Sequence, residues 1–369
     1  MIPLLAALAV ALTPGCDLEH PSGKPGCTRA QVDALPMTAQ QTIGTHNSYK
    51  VAISPAEMSL IRASNARTAA GLDYSHPPLT VQLDAGARVI ELDVASDPHG
   101  GLFADPLGPK MAARAGLTAP PYDAAPMRQP GLKVLHAQDI DYRSTCALFT
   151  DCLKEIRAWS RAHPDHLPIL ITFNLKDDDI PVPGSAHALK FDAAAMDELD
   201  AEIRSVLSPR DLITPDNVQG RHASLREAVL AGGWPTIGKA RGKIFFAMDE
   251  EGAKIALYRG ARHSLEGRVA FVNTDEASPA AAYLTLNEPI EQAARISADV
   301  KAGFFVRTRA DADTVEARAN DTRRREAAFA SGAQAVSTDY MVSDPPITSY
   351  QVTLPGGGVG RLNPVSGGH

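Results

Sequence analysis

Residues 168–176 read PILITFNLK, a short apolar run that ends in an amide and a cation. Its length and its content of Ile, Leu, Thr and Phe predict a buried β-strand. Helical patterns flank the run on both sides, from Leu148 to His163 before it and from Asp192 to Leu207 after it. In the second of these, apolar residues recur at three- and four-residue steps, which is the spacing of an amphipathic helix. The alternation of helix and strand predicts an α/β fold.

Seven more segments of this kind lie along the chain, separated by helical patterns. The eight predicted strands are Gln41 to His46, Arg88 to Val94, Leu132 to His136, Pro168 to Asn174, Lys243 to Met248, Val269 to Asn273, Gly303 to Arg307 and Ala333 to Thr338. Eight alternations are typical of a parallel (β/α)₈ barrel, so the sequence predicts a TIM barrel that forms a single catalytic domain. We expect this barrel over residues 28–353, a leader and short linker over 1–27, and a disordered Gly-rich tail over 354–369.

The composition is that of a soluble globular protein and excludes one class of partner. The chain has 369 residues, 44% of them hydrophobic, and 36 basic against 43 acidic side chains for a net charge of -7. Its longest basic run, Arg323 to Arg325, is too short to form the positive surface of a nucleic-acid binder. No protein partner is indicated either.

The start of the chain predicts export. Residues 2–13 are apolar, but they are fewer than the roughly 20 residues that a membrane-spanning helix needs. A run of this length is typical of the hydrophobic region of an export signal, so we expect a periplasmic or secreted protein. The segment Leu12-Thr13-Pro14-Gly15-Cys16 is also similar to a bacterial lipoprotein cleavage site, which leaves lipidation of Cys16 as an alternative.

The four cysteines fall in two close pairs, Cys16 with Cys27 and Cys146 with Cys152. In an exported chain, an even count with local pairing favours two small disulfide loops. Lipidation of Cys16 would leave Cys27 without a partner, which favours plain secretion. The alternative is four reduced, buried thiols in a cytosolic protein.

Polar side chains collect where the predicted strands end. Alternate residues of a strand face the same side, so polar residues two apart at a strand's carboxyl end point together into a barrel mouth. The residues in question are His46 and Asn47, Glu91 and Asp93, His136, Asn174 and Lys176, Arg307 and Arg309, and Asp339. Each could have a purely structural role, and Glu91 and Asp93 could simply pair with Arg88 or Lys133. Their convergence on one end of the barrel favours an active site.

These residue types suit phosphodiester chemistry with a hard cation. The oxygen atoms of Asn47, Glu91, Asp93 and Asn174 are ligands that suit Ca²⁺, and to a lesser extent Mg²⁺, far better than Zn²⁺. Imidazoles can move protons, and a cation with Lys or Arg can stabilise charge on a phosphorane. No G-x-S-x-G motif and no P-loop occurs, which argues against acyl transfer and nucleotide-driven phosphoryl transfer.

Five stretches make a resemblance specific. They are TIGTHNSYK (42–50), RVIELDVASD (88–97), LKVLHAQDIDYRSTC (132–146), DCLKEIRAWSRAHPDHLPILITFNLKDD (151–178) and FFVRTRADADTVEARANDTRRREAAFASGAQAVSTDY (304–340). From about residue 36 to residue 353, the chain resembles the bacterial Ca²⁺-dependent phosphatidylinositol phospholipase C family of the PLC-like phosphodiesterase superfamily. His-Asn on the first strand, E-x-D on the second and His on the third form a demanding combination.

The resemblance implies a TIM barrel that cleaves a glycerol-linked phosphodiester, with the inositol 2-hydroxyl attacking phosphorus to give a cyclic phosphate. By position it makes His46 and His136 the acid/base and phosphate-stabilising pair. It assigns Ca²⁺ to Asn47, Glu91 and Asp93, with Glu91 or Asp93 as a possible aid to deprotonation. The remaining implied contacts are Lys176 and Arg307 with phosphate or head group, and Asp339 at the same mouth.

One position departs from the family pattern. Relatives generally have E-x-K at the end of the fourth strand, whereas this chain has Asn174-x-Lys176. An amide oxygen still ligates Ca²⁺, but one negative charge is lost, so we expect weaker metal affinity.

We therefore expect an exported, Ca²⁺-dependent phosphodiesterase that acts on phosphatidylinositol or a related glycerophospholipid and contacts a membrane surface only transiently. Two alternatives stay open. One is a glycerophosphodiester phosphodiesterase of the same superfamily, and the other is a catalytically weak barrel that binds phosphate esters.

Overall fold

The structure is a computed structural model, and it describes residues 12–13, 15–342 and 347–367. The export signal predicted over residues 2–13 therefore lies almost entirely outside the described residues. The strands are β1 (Gln40–Thr45), β2 (Val89–Glu91), β3 (Val94–Ala95), β4 (Lys133–Val134), β5 (Ile169–Phe173), β6 (Ile244–Met248), β7 (Ala270–Val272), β8 (Tyr283–Thr285), β9 (Phe305–Arg309), β10 (Ala335–Thr338) and β11 (Gly360–Leu362).

Helices connect the strands. They are α1 (Arg29–Asp33), α2 (Pro55–Ser64), α3 (Ala66–Gly71), α4 (Leu79–Asp84), α5 (Leu107–Arg114), α6 (Phe149–Ala162), α7 (Ala193–Val206), α8 (Pro215–Gln219), α9 (Leu225–Leu230), α10 (Ile237–Ala240), α11 (Gly252–Arg259), α12 (Ala293–Ala302), α13 (Val315–Ala319) and α14 (Arg323–Ser331). Short 3₁₀ turns cover Met37–Ala39, Pro126–Arg128 and Pro209–Asp211. Across the described residues, no helix combines the length and the apolar content that crossing a bilayer requires.

Eight parallel strands form a nearly closed barrel, which confirms the predicted TIM-type fold. Their order is β7-β6-β5-β2-β1-β10-β9-β8. The ring closes between β7 and β8, where the structure records one bridge among the described residues, from Asn273 to Tyr283. The amide oxygen of Asn273 also accepts a hydrogen bond from the backbone N–H of Thr285 at 3.0 Å. A side chain thus replaces part of the missing backbone ladder.

The predicted third strand does not belong to the barrel. β5 pairs directly with β2, with Val89 opposite Leu170. Residues of the predicted strand 132–136 instead form β4, which pairs with β3 in a separate antiparallel ribbon. The missing barrel strand is β8, which the sequence analysis did not predict. The residues just before β8, Ala280 to Ala282, are small and fully buried. This part of the sequence therefore lacks the run of Val, Ile and Phe by which the other strands were recognised.

The two helices beside the fourth predicted strand form as expected. Asp192 caps α7 by accepting the N–H of Ala195 at 2.9 Å, and Met196, Leu199 and Ile203 are buried in the core. α6 likewise buries Leu153 and Ile156. Between β9 and β10 the chain forms two helices, α13 and α14, because Asn320 takes a left-handed conformation between them.

The carboxyl-terminal tail differs from the disorder predicted for residues 354–369. β11 pairs antiparallel with the first half of β1, from Gln40 to Thr42, where β2 does not reach. Asn363 then donates its side-chain amide to the carbonyl of Gly332 at 2.6 Å. An otherwise unpaired strand edge therefore orders a Gly-rich segment whose composition alone favours disorder.

Both predicted disulfides are present, Cys16–Cys27 and Cys146–Cys152.

We expect the double variant Cys146→Ser/Cys152→Ser to lower the free energy of unfolding by about 2 kcal/mol, because the short loop constrains the unfolded chain only modestly. Urea denaturation measures this change. The variant Cys16→Ser/Cys27→Ser, which opens a longer loop, should cost slightly more, and a smaller cost there would contradict the loop-length explanation.

Candidate active site

The carboxyl ends of the barrel strands bring the predicted polar residues together. His46 directly follows β1, Glu91 ends β2, Arg307 lies within β9, and Asp339 directly follows β10. A cavity of about 370 Å³ opens at this end, and His46, Tyr74, His136 and Asp339 are among its lining residues. Gly44 permits the close packing beneath it, because a Cβ there would overlap the carbonyl oxygen of Val89 on β2.

His46 is held from several sides. Its Nδ1 lies 2.8 Å from Oδ1 of Asp339, and its Nε2 lies 3.5 Å from Oε1 of Glu91. The Arg309 guanidinium lies 3.3 Å from Nδ1 and 3.4 Å from Nε2. Burial, together with Arg309 and Arg307, holds the pKa of His46 well below its ordinary value. The imidazole is therefore neutral near pH 7, and it can accept a proton.

His136 is held by a buried ion pair. Its Nδ1 lies 2.8 Å from Oδ2 of Asp141, and Lys50 Nζ lies 3.0 Å from the same carboxylate. Lys50 and Asp141 are almost completely buried. Burial opposes ionisation of Asp141, but Lys50 and His136 outweigh it and lower the pKa of the carboxyl. With Nδ1 engaged by Asp141, Nε2 of His136 is left for the cavity.

Glu91 is paired with a buried arginine. The Arg307 guanidinium donates to Glu91 Oε2 at 2.5 Å, and through its other Nη to Asn287 Oδ1 at 2.7 Å and Asp249 Oδ2 at 3.1 Å. Burial raises the pKa of Glu91 to about 7, although Arg307 opposes the shift. Arg307 is only 1% exposed, so in this structure it holds Glu91 and does not line the cavity.

The Tyr49 hydroxyl contacts both Asp93 and Asn47. Lys176 Nζ lies 2.7 Å from Asp93 Oδ2, and the Tyr49 hydroxyl donates to the same oxygen at 3.0 Å. That hydroxyl also lies 3.5 Å from Asn47 Oδ1. Asn47 takes a φ of 48°, in the left-handed region that asparagine tolerates, and it donates to the Tyr74 hydroxyl at 2.7 Å. Arg88 and Lys133, the alternative partners of Glu91 and Asp93, pair with other acids. Arg88 pairs with Glu19, and Lys133 pairs with Asp97.

Asn174 follows β5 and is half-buried. Its side-chain amide donates to the backbone carbonyl of Asp249. The backbone carbonyl of Asn174 accepts the N–H of Val94 at 2.9 Å, which fixes it beside Asp93 in the neighbouring chain segment. The amide oxygen is the part of this side chain that a cation would use.

The predicted donor set has the oxygen chemistry that a hard cation prefers. Asp93 Oδ1 is a buried carboxylate oxygen that has no hydrogen-bond partner among the described residues. Within that same part of the chain, no group of three or more His, Cys, Asp and Glu side chains is placed to hold a metal. The predicted ligands include only two residues of those types, Glu91 and Asp93, so such a group is not expected. Their oxygens and those of the Asn47 and Asn174 amides suit Ca²⁺. Glu91 is also paired with Arg307, and Asp93 with Lys176. These two side chains would compete with a bound cation.

Three residues of the site were not assigned from the sequence. The Tyr74 hydroxyl lies 3.3 Å from His46 Nδ1, and Asp141 orients His136. Nε2 of His76 lies 2.9 Å from the carbonyl oxygen of His46. Asp141 had a signal that could have found it, since it closely follows His136. Arg309, which the sequence placed at the mouth without a specific role, contacts both His46 and Asp339.

Solved structures of bacterial enzymes share this fold. A calcium-dependent phosphoinositol-specific phospholipase C from Pseudomonas sp., in its apo form, has a TM-score of 0.54 and 14% identity, with 90% of this chain and 96% of that chain covered. A myoinositol complex of the Pseudomonas protein gives 0.54 and 14%, covering 90% and 97%. The Ca²⁺-dependent phosphatidylinositol-specific phospholipase C from Streptomyces antibioticus gives 0.52 and 20%, covering 83% and 95%. A comparison with curated protein sequences gives no match.

The family model of Ca²⁺-dependent phosphoinositide phospholipase C matches residues 35–364. This match and the (β/α)₈ barrel place the protein among the α/β-barrel phosphodiesterases. The chain therefore belongs to this Ca²⁺-dependent enzyme family, as the sequence motifs predicted.

Asn174 offers a test of the predicted cation site. We expect Asn174→Glu to lower the Ca²⁺ concentration for half-maximal activity about tenfold, because charge count is a main determinant of Ca²⁺ affinity. Asn174→Gln is the matched control, since it lengthens the side chain without adding charge and should not tighten binding. Calorimetric titration with Ca²⁺ gives the affinities directly. Equal affinities for the two variants would remove position 174 from the ligand set.

Proposed function

We propose that the protein cleaves phosphatidylinositol, or a closely related glycerophospholipid, by forming a cyclic inositol phosphate, with His46 and His136 moving the protons. The observation that carries this proposal is the pair of carboxylate-oriented imidazoles on one cavity. Asp339 engages Nδ1 of His46, and Asp141 engages Nδ1 of His136. Nε2 is then the nitrogen through which each imidazole would exchange a proton with substrate, and in His46 this atom also lies 3.5 Å from Glu91 Oε1.

The proposed reaction assigns one proton transfer to each imidazole. The inositol 2-hydroxyl oxygen bonds to phosphorus while His46 Nε2 accepts its proton, a role that suits an imidazole kept neutral. The bond from phosphorus to the glycerol oxygen breaks, and that oxygen receives a proton from His136. Arg309, which lies within 3.4 Å of His46, is placed to stabilise negative charge on the phosphoryl oxygens.

Asn47, Glu91, Asp93 and Asn174 would hold Ca²⁺. When bound, the cation supplies positive charge near the attacking and phosphoryl oxygens. Lys176 contributes a further positive charge beside Asp93, from which it can contact a phosphate or head group. Although burial opposes it, Asp93 raises the pKa of Lys176, which stays charged.

Exposed apolar side chains support a transient contact with a lipid surface. Among the residues that the structure describes, the three most exposed large hydrophobic side chains are Ile290, Val315 and Val342, at 53%, 63% and 61% exposure. They follow β8, β9 and β10, three neighbouring barrel strands, in connections that leave the carboxyl ends. All three therefore belong to the mouth side, where a membrane-embedded substrate has to enter.

Export is also part of the proposal. Two disulfides fit an extracellular protein, because the bacterial cytosol keeps thiols reduced. The bond between Cys16 and Cys27 occupies the sulfur that lipidation would use, so we favour a periplasmic or secreted protein over a lipoprotein.

Turnover of phosphatidylinositol with Ca²⁺ and with a chelator tests the function, with ³¹P NMR to identify the product. We expect Ca²⁺-dependent release of inositol cyclic phosphate. A free phosphomonoester, or better turnover of glycerophosphodiesters, would instead support a glycerophosphodiester phosphodiesterase.

A second candidate rests on Asn174. The amide removes a carboxylate from the cation site, which would suit a catalytically weak barrel that binds phosphate esters. A large gain in turnover by Asn174→Glu would support that reading, whereas unchanged turnover would support a site adapted to the amide.

A further inference from the structure

A second cavity at the mouth has an apolar wall. It measures about 320 Å³ and lies between α2, α5 and the connections that follow β4 and β5. Six of its lining residues carry large apolar side chains: Leu60, Ile61, Met111, Ile140, Ile180 and Val182. All six are partly exposed, so the cavity opens to solvent and is not part of the closed core.

The Glu57 carboxylate and the Asn65 side-chain oxygen, two polar groups in this wall, already have partners. Glu57 is the charged residue among those that line the cavity, and its two carboxylate oxygens accept the Tyr142 hydroxyl at 2.6 Å and the Ser54 hydroxyl at 2.5 Å. The Asn65 side-chain oxygen caps α3 by accepting the N–H groups of Arg67 and Thr68. These groups present no unsatisfied charge to a ligand, so the wall suits an alkyl chain.

This cavity adjoins the catalytic cavity. Thr68, on α3, lines both of them. On the other side, Ile140 lines the apolar cavity, and the next residue, Asp141, holds His136. A molecule with its phosphate between His46 and His136 therefore has an apolar surface within reach on the same rim.

From this continuity we propose that the apolar cavity binds one acyl chain of the lipid substrate and of its diacylglycerol product. The proposal rests on the function proposed above, since it assumes a glycerolipid at the catalytic cavity. An acyl chain joins the glycerol next to the phosphate, so it extends from the same point as the reacting bond. Each methylene that enters contributes up to about fourfold to binding, from the transfer free energy of apolar groups.

Calorimetric titration with 1,2-dihexanoylglycerol tests the site without depending on catalysis. We expect the wild-type protein to bind this neutral probe, and Leu60→Trp and Met111→Trp, which fill the cavity from two different helices, to weaken binding at least tenfold. Leu230→Trp is the matched control, because Leu230 is 44% exposed on α9, in the connection that leads to the amino end of β6. Absent binding by the wild type, or equal binding by all four proteins, would overturn the proposal.

Kinetics with monomeric short-chain phosphatidylinositols separates this site from the reaction. In the wild type and in Leu230→Trp, kcat/KM should be about tenfold higher for the dihexanoyl than for the dibutanoyl substrate. In both cavity variants, kcat/KM should be nearly the same for the two substrates. A ratio unaffected by the cavity variants would count against the acyl site. If no substrate is turned over, the proposed function fails, and the calorimetry with dihexanoylglycerol still decides whether the cavity binds an alkyl chain.

Discussion

His46→Ala is expected to lower kcat by about 10²- to 10⁴-fold on phosphatidylinositol, because it removes the group that accepts the proton of the attacking hydroxyl. The effect should fall on kcat more than on KM, since the imidazole acts on the reacting atoms and not on the lipid as a whole. Initial rates with saturating Ca²⁺ and ³¹P detection of the product measure it.

Two comparisons make this result specific. His222→Ala removes an exposed histidine outside the cavity and should leave the rate unchanged. Asp339→Asn keeps His46 but alters the partner of Nδ1, so it should cost activity without abolishing it. Near-normal turnover by His46→Ala would remove this residue from the proton transfer.

Arg307→Met should have the largest effect on stability. It leaves the buried carboxylate of Glu91 without its cation, and breaking a buried pair in this way costs about 3–5 kcal/mol of unfolding free energy. Urea denaturation in the presence of a chelator measures the loss. Arg204→Met, at an exposed arginine of α7, is the matched control and should change stability by less than about 1 kcal/mol.

The loss depends on pH and on Ca²⁺ in defined directions. Burial already raises the pKa of Glu91 to about 7, above its value in the unfolded chain. Removing the opposing Arg307 raises it further, so the folded variant binds a proton that the unfolded chain has released, and its stability falls as pH rises through neutrality. If Glu91 ligates Ca²⁺, added Ca²⁺ should stabilise Arg307→Met more than the wild type. Equal stabilisation of the two proteins would argue against ligation by Glu91.

Strand alternation made most of the site predictable from the sequence. Glu91, Arg307 and Asp339 lie in or just after parallel strands, whose carboxyl ends meet at one end of a barrel whatever the intervening loops do. His136 is instructive, because its strand was assigned to the barrel and in fact lies in the β3–β4 ribbon. The ribbon begins at β3, just beyond the end of β2, so His136 still reaches the mouth.

The partners that orient these groups were harder to predict. Tyr74 lies in a connection after α3, and nothing in its local sequence indicates that it would contact His46. Lys50 and Asp141 are 91 residues apart, and only the folded loops bring them together. Arg307 looks like a phosphate ligand in the sequence, but Glu91, Asp249 and Asn287 surround it, and this depends on three other chain segments.

The junction between β7 and β8 gives the barrel an uneven dynamic character. At six of the seven other junctions of the wall, neighbouring strands share ladders of three to five residue pairs, whereas here a single bridge and the Asn273 side chain join them. Amide hydrogen exchange should therefore enter the wall at this junction first, by local opening that leaves the β5–β6 side protected. Asn287, two residues beyond β8, is bonded to Arg307, so such fluctuations would reach the carboxylate of Glu91 through one guanidinium group.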